Sequence, residues 1–596
     1  MAIKDHKSND RPVKFLVTTA LEDFWDTSKP IIFLEEGCLR YSRKSFWQNL
    51  EHELICSPLR DRKVYAKAYA YIEGLYEQML LLLAQRFNAI HGTDHGAAYW
   101  RIVIGPWLMH YLFVLYERYV SLKSVLEQHP DFVTWGLAEK DFVTPENMPD
   151  FIYLSVDDPY NVQIYTRILG YLKKEYVEKS FTIVRQNVPV RASISNCIFK
   201  AMARVVGSVC RPVVVKHPYF SSANIKLKVL LAARGSICFD YNEEECVLPN
   251  MPLDFSRRQE LASVPFMDDD FGKLLAAMLP LDVPKILVEG YAHAQRIMRQ
   301  KYPRQPKAIV NSDSWSYDDI FKMWAADCAQ RGIGLYGLQH GGDYGILTYH
   351  PLHRHEVVIT RKFYSWGLGD GGGQHVVSSM PSTRMMGRRV MGASNEKKGV
   401  LLATSAFPRY VYRFQNILSY DNEAYLAWQH RFAAALDPVL RRELRVRLFV
   451  NDRGCDCEQR WKDQDPDVRL ERFLDMPFLE SLEDCRIHVS DNLGTTYLDG
   501  LTANKPTMLF WDPQIFAYKP EIAPYFDDMR KIGILHDSPE AAASAVGVVY
   551  ADVEAWWNDP CRQAVIKRFC DVFGKTSPTA MDEWAAEFRR IAKEGV

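Results

Sequence analysis

Gln339-His340-Gly341-Gly342-Asp343-Tyr344-Gly345 closes a short apolar run with residue types that can do chemistry. An imidazole at the mouth of a strand titrates near neutral pH, so His340 can act as a base or hold a phosphate. Gly341, Gly342 and Gly345 lack a Cβ and let backbone approach a ligand closely. One His beside one glycine would read as a tight turn. With Asp343, Tyr344 and Gln339 in the same few residues, the cluster reads as a site.

A second motif is Ser490-Asp-Asn-Leu-Gly-Thr-Thr-Tyr-Leu-Asp-Gly-Leu-Thr-Ala-Asn-Lys-Pro506. Gly494, Thr495 and Thr496 fall in the first turn of a helix, where free N–H groups and the positive helix end attract phosphate. Asp499 lies one turn deeper on the same face, placed to take the two hydroxyls of a ribose. The plain alternative is a capped helix followed by an Asn-Lys-Pro turn. Arg409 and Arg413, four apart after a strand, can form a fork on phosphate or carboxylate, with Arg447, Asn451 and Arg453 at the next strand end. Glu35 and Glu36 end another strand and are candidates for the base that deprotonates an acceptor hydroxyl, or else a solvated acidic loop. Asp313 and Ser314 belong beside His340 if their strands are neighbours; otherwise they cap a helix. No P-loop or GxGxxG fingerprint is present.

Metal chemistry finds little support. The 12 cysteines form no CxxC pair, and structural zinc needs such spacing. Asp268-Asp269-Asp270 reads as a solvated turn, and Asp463-Gln-Asp465 as a surface loop. The expectation is a metal-independent protein without a resident cofactor.

These residues need elements to hold them. Short apolar runs at 15–20, 31–34, 151–155 and 181–184 read as strands. Residues 63–128 are helical, with breaks expected near His91-Gly92 and Gly105-Pro106; Trp100 and Trp107 belong to packing. Residues 190–265 read as an irregular insertion. A strand at 308–312, a helix ending before Gly332 and the strand before His340 form a βαβ unit, so the sheet there is parallel. After a glycine-rich boundary around 369–399 the alternation restarts, with strands at 400–404, 445–450, 486–489 and 507–511. Three parts follow: 1–375, an acceptor-side α/β domain with helical insertions; 396–560, a Rossmann-like nucleotide-binding domain; and 561–596, a helical tail. Two such domains facing across a cleft suit a transferase.

The bulk numbers agree with that class. At 596 residues the chain exceeds one core. A net charge of -1 leaves no basic footprint for nucleic acid. The polar first ten residues resemble no signal peptide, and no apolar run reaches the ~18–20 residues of a membrane helix. The expected setting is cytoplasmic, compatible with peripheral attachment to the inner membrane.

Thr18-Thr-Ala-Leu-Glu22, Tyr41-Ser-Arg-Lys44, Tyr99-Trp-Arg-Ile-Val-Ile-Gly-Pro-Trp-Leu108, the 339–345 turn, Pro408-Arg-Tyr410, Thr495-Thr-Tyr-Leu498 and Phe510-Trp511 together resemble a bacterial family. It is a family of transferases associated with O-antigen and other surface-polysaccharide gene clusters, and the likeness runs in order over nearly the whole chain. The resemblance implies a GT-B architecture, a nucleotide-sugar donor (CMP-linked ulosonic or nonulosonic acids among the candidates) and a glycan or lipid-linked glycan acceptor. The Gln-His-Gly element is also similar to that of transferases using CDP-glycerol, whose His is taken as a base; that role carries over to His340 alone. Gly-Gly-Asp stands here where those enzymes usually have Gly-Thr, a departure that leaves the transferred group open; a CDP-polyol phosphotransferase on the same fold is the alternative.

Overall fold

The computed structural model describes residues 12–185, 212–240, 248–262, 268–369, 376–415 and 418–594. Two six-stranded sheets organise it, and every neighbouring pair in both is parallel. The first has the order Val377–Ser379, Lys362–Ser365, Gly334–Leu338, Ala308–Asn311, Val213–Lys216, Ile237–Asp240. The second runs Arg469–Glu471, Leu444–Arg447, Val400–Ala403, Ile487–Ser490, Thr507–Phe510, Leu535–His536. Their inner strands are buried almost throughout, as strands covered on both faces are. Each sheet grows outward from its middle in both directions. The switch points lie between Val213–Lys216 and Ala308–Asn311 in one, and between Val400–Ala403 and Ile487–Ser490 in the other. Ligands of open α/β sheets bind outside the carboxyl ends of strands at such points. The architecture is that of two Rossmann-like domains, as in GT-B enzymes.

Several expected elements differ. The runs at 15 and 31 do not enter the first large sheet; Phe15–Val17, Ile31–Leu34 and His52–Ile55 make a three-stranded sheet of their own. Residues 151–155 lie in the helix Met148–Ser155, started by Asn147 accepting from Asp150 N–H. Residues 181–184 form no strand; Val177–Lys179 pairs with Trp135–Leu137 instead. Pro106 does not break its helix, which runs Ala97–Gln128 and is buried on almost every side. Packing on all faces outweighs the ~3 kcal/mol a mid-helix proline costs. The supposed insertion at 190–265 supplies an inner strand, Val213–Lys216, and an edge strand, Ile237–Asp240; residues 186–211, 241–247 and 263–267 lie outside the described residues.

The helix Ala580–Glu594 returns to the first large sheet. Trp584, Phe588 and Ile591 share a core with Val213, Val215, Phe239, Val310 and Tyr336. Trp584 Nε1 donates to Pro381 O at 2.8 Å.

Candidate functional site between two switch points

The loops leaving Val213–Lys216 and Ala308–Asn311 face those leaving Val400–Ala403 and Leu444–Arg447 across a cleft of ≈ 780 Å³. Lys216, His217, Asp313, Ser314 and Tyr317 line it from the first sheet, and Arg409, Tyr412, Asn451 and Arg453 from the second. His217 and Asp313 follow adjacent parallel strands, which brings residues 96 apart in sequence into contact. His217 Nδ1 lies 2.7 Å from Asp313 Oδ1, with Ser314 Oγ 3.2 Å from the same nitrogen. Tyr219 O–H donates to the other Asp313 oxygen. Burial would raise the Asp313 carboxyl, but the His217 contact, the nearby His340 and the Tyr219 hydroxyl outweigh it and hold the group at about 2. His217 and Tyr219 have φ of 47° and 51°. Non-glycine residues persist there only where their surroundings over-determine them, and such strain gathers at functional sites. Asp313 occupies the N-cap position of Ser314–Tyr317 without capping it; its carboxylate is given to the dyad instead.

His340 stands behind this dyad. Its strand is hydrogen-bonded to the Asp313 strand, and Tyr219 stacks on its ring with centroids 6.2 Å apart. Burial lowers the His340 pKa, against the opposing pull of Asp313 and Asp343. Gln339 is buried and structural, its amide bonding Gly341 O and Trp366 N at 2.8 and 2.7 Å. Asp343 lies 3.4 Å from His350 Nε2; burial would raise it, and His350 draws it below the usual carboxylate range.

The two motifs marked in sequence touch. Gly342 N–H donates to Thr495 Oγ1 at 3.2 Å, and Tyr497 O–H donates to Gly342 O at 3.3 Å. A Cβ on Gly342 would stand 2.2 Å from Gly494 O, so only glycine allows this approach. Gly494, Thr495 and Thr496 remain partly exposed at the start of a short helix, Thr496–Thr502.

Other expected residues are placed differently. Asp499 is fully buried and bridged by Arg384 at 3.0 Å and by Arg388, so its carboxylate is not presented to a ribose. A side chain one turn inside a short helix points into the core there. Glu35 is buried against Arg60 and the Ser57 N–H, and Glu36 shares Arg60 at 3.3 Å. Neither lines the cleft, and Arg60 takes up both carboxylates. The fork of Arg409 and Arg413 does not form. Arg409 bonds Asp158 and Gly37 O, fastening its loop to the small N-terminal sheet. Arg413 donates to Gln415 Oε1 at 2.6 Å and lies within electrostatic reach of Tyr412, Tyr317 and Asp343. Asn451 is on the cleft wall, exposed.

His217, Tyr219 and Arg384 escaped the sequence reading. Arg384 sits close enough to Tyr219 to act on its ionisation and bonds Asp499, in the helix that follows Gly494. Val213-Val-Val-Lys216 precedes His217 and a proline, but an apolar run that short does not by itself separate a strand from a loop.

A family profile described as LIC12162 family transferase matches residues 14–588. The chain belongs to that family. Among solved structures, this LIC12162 family member is similar to S. aureus MnaA in a co-structure with UDP, at 10% identity and a TM-score of 0.36, over 64% of this chain and 96% of the other. It is similar to WaaG, a glycosyltransferase involved in lipopolysaccharide biosynthesis, at 11% identity and a TM-score of 0.31, over 64% and 100% of the two chains. SnogD, a glycosyltransferase from Streptomyces nogalater, gives 12% identity and a TM-score of 0.33 over 64% and 99%. No curated protein matches the chain.

Proposed function

We propose that this transferase moves a sugar from a nucleotide-activated donor to an acceptor hydroxyl. The observation that carries the reading is the His217–Asp313 dyad at one switch point, facing across a cleft the loops that leave two strands of a second Rossmann-like sheet. Asp313 holds the Nδ1 hydrogen and leaves Nε2 to accept a proton, the arrangement a general base needs. The acceptor O–H gives its proton to His217 as the new C–O bond forms at the sugar. The sugar–phosphate C–O bond breaks, and its electron pair leaves with the nucleotide. His340, Arg384, Thr495 and Thr496 meet the charge on that phosphate, with Gly494 giving it room. The donor is a nucleotide sugar, CMP-linked acids included. The acceptor is a surface glycan such as O-antigen or capsule, free or lipid-linked; the sequence resemblance supports this choice.

The reading includes metal independence, and among the described residues no three His, Cys, Asp or Glu side chains converge as a metal site. Activity abolished by EDTA and restored by magnesium or manganese would contradict it. It also places the protein in the cytoplasm or against the inner membrane; no described helix is long and apolar enough to cross a membrane.

Thermal-shift screening against UDP, CDP, GDP, dTDP and CMP identifies the nucleotide, since a ligand of the folded state raises Tm. With the matching sugar donor, His217→Gln should lower turnover by ~10²–10⁴-fold and leave nucleotide affinity in place. Wild-type turnover in that variant would remove His217 as the base.

A further inference from the structure

Arg40, Arg185, Lys216, Arg409 and Arg453 bring positive charge to the lining of the cleft. Four of them are neutralised where they stand. Arg40 and Arg409 share Asp158, at 2.7 and 2.5 Å. Arg185 holds Glu146 at 3.0 Å, and Lys216 holds Asp318 and Asp240 at 3.1 and 3.2 Å. Arg453 is the exception. Among the described residues it meets no carboxylate, and its Nε, shielded from solvent, has no hydrogen-bond partner.

The loop that carries Arg453 is held in place by its own polar groups. Asp452 accepts from the N–H groups of Asp456 and Cys457 at 2.8 and 2.7 Å, and Arg453 N–H donates to Asn451 Oδ1 at 2.9 Å. Arg453 has a φ of 54° and Gly454 one of 79°. A non-glycine residue keeps such a backbone only where its surroundings impose it. A Cβ on Gly454 would stand 2.7 Å from Arg409 Nε, so the loop packs on an arginine already fixed to Asp158. The Arg453 guanidinium lies 5.8 Å from the centroid of the Phe449 ring, a cation–π contact that occupies its face and leaves its N–H edge open.

We propose that Arg453 is a specificity residue that receives a carboxylate on one of the two sugars meeting at His217, so that the enzyme works on an acidic sugar. The inference rests on the reading of the cleft as the place where acceptor and transferred sugar meet. The donor phosphate is already provided for by His340, Arg384, Thr495 and Thr496. A guanidinium edge binds a carboxylate through two parallel N–H···O bonds, which a neutral hydroxyl cannot reproduce. Asp150, Asp157, Asp313, Asp318 and Asp319 line the same cleft, so one negative charge suits it better than a phosphate dianion.

The test is binding of D-glucuronate, N-acetylneuraminate, glucose 6-phosphate and glucose to the full-length protein, followed by ligand-observed NMR. Wild type should bind at least one of the two carboxylates and prefer it to the phosphate and to glucose. Arg453→Gln should weaken that binding roughly 10–100-fold, the loss expected when a charged hydrogen-bonding partner is removed. It should melt with wild type, because the side chain it replaces holds no carboxylate. Arg472→Gln, which removes an exposed arginine paired with Glu458 outside the cleft, should bind like wild type. Saturation with the neutral-sugar donor of the nucleotide that raises Tm separates the two sources. Carboxylate binding survives if the acid belongs to the acceptor and is displaced if it belongs to the transferred sugar. Equal binding of glucose and both carboxylates, preference for the phosphate, or undiminished binding in Arg453→Gln overturns the inference. A loss in Arg472→Gln as large as in Arg453→Gln also overturns it, by reducing the effect to general charge. His217→Gln should keep carboxylate affinity, so wild-type turnover in that variant removes the base without touching the role of Arg453.

Discussion

Asp158 and Asp499 are both buried carboxylates held by pairs of arginines, and each joins parts of the chain far apart in sequence. Asp158 accepts from Ala20 N–H at 3.0 Å, from the Tyr410 hydroxyl, and from Arg40 and Arg409. Burial would raise its carboxyl, but Arg409 and its companions hold it below the usual range. Removing one member of such a pair leaves uncompensated buried charge, typically at 3–5 kcal/mol. Asp158→Ala and Asp499→Ala should therefore both lower the denaturation midpoint on that scale. Only Asp499→Ala should also weaken nucleotide binding, through a freed Arg384. Equal nucleotide affinity in Asp499→Ala and wild type, measured calorimetrically, would show Arg384 to be remote from the ligand. Sequence could mark Asp499 from its place one turn inside a helix and Arg409 from its place after a strand. It could not assign their partners: Arg384 lies 115 residues from Asp499, and Asp158 lies 251 from Arg409.

At the scale of elements, the decisive contact is that between the 339–345 turn and the start of Thr496–Thr502. Gly342→Ala would drive a methyl into the Gly494 carbonyl, and backbone yields less than a side chain. The variant should lose ~1–3 kcal/mol of stability, the usual range for overpacking, together with nucleotide affinity. Wild-type melting and binding in that variant would mean the two loops move apart easily. Both partners in this contact were legible, since glycine-rich strand ends announce themselves by composition. The strand before His217 was not. Four residues between stretches of irregular composition carry too little period to separate a strand from a loop, and its register comes from Ala308–Asn311 and Ile237–Asp240. Pro106 misled for the opposite reason, a strong local signal overruled by packing.

Across the whole molecule, His110, His355 and His488 are buried in the interior, and burial depresses each to about 3. Unfolded, each would titrate near 6.5, so below that pH the unfolded chain binds more protons. The stability these neutral rings contribute is complete above pH 6.5 and is lost as pH falls toward 3. At pH 5.5 each removes roughly 1.4 kcal/mol relative to neutral pH. Urea midpoints should drop steeply between pH 7 and 5, and a flat profile would contradict this account. The helix Ala580–Glu594 has a different kind of consequence. It covers strands that end by Ser379, so a ribosome must add some 200 residues before the cover exists. At ~5–20 residues per second that interval is about 10–40 s. Throughout it the nascent chain carries an apolar sheet face covered only in part, by the helix Ala223–Ala232. Synthesis of this protein is thus a period of exposure to be guarded by chaperones, and fragments stopping before residue 580 should be recovered mainly as aggregates.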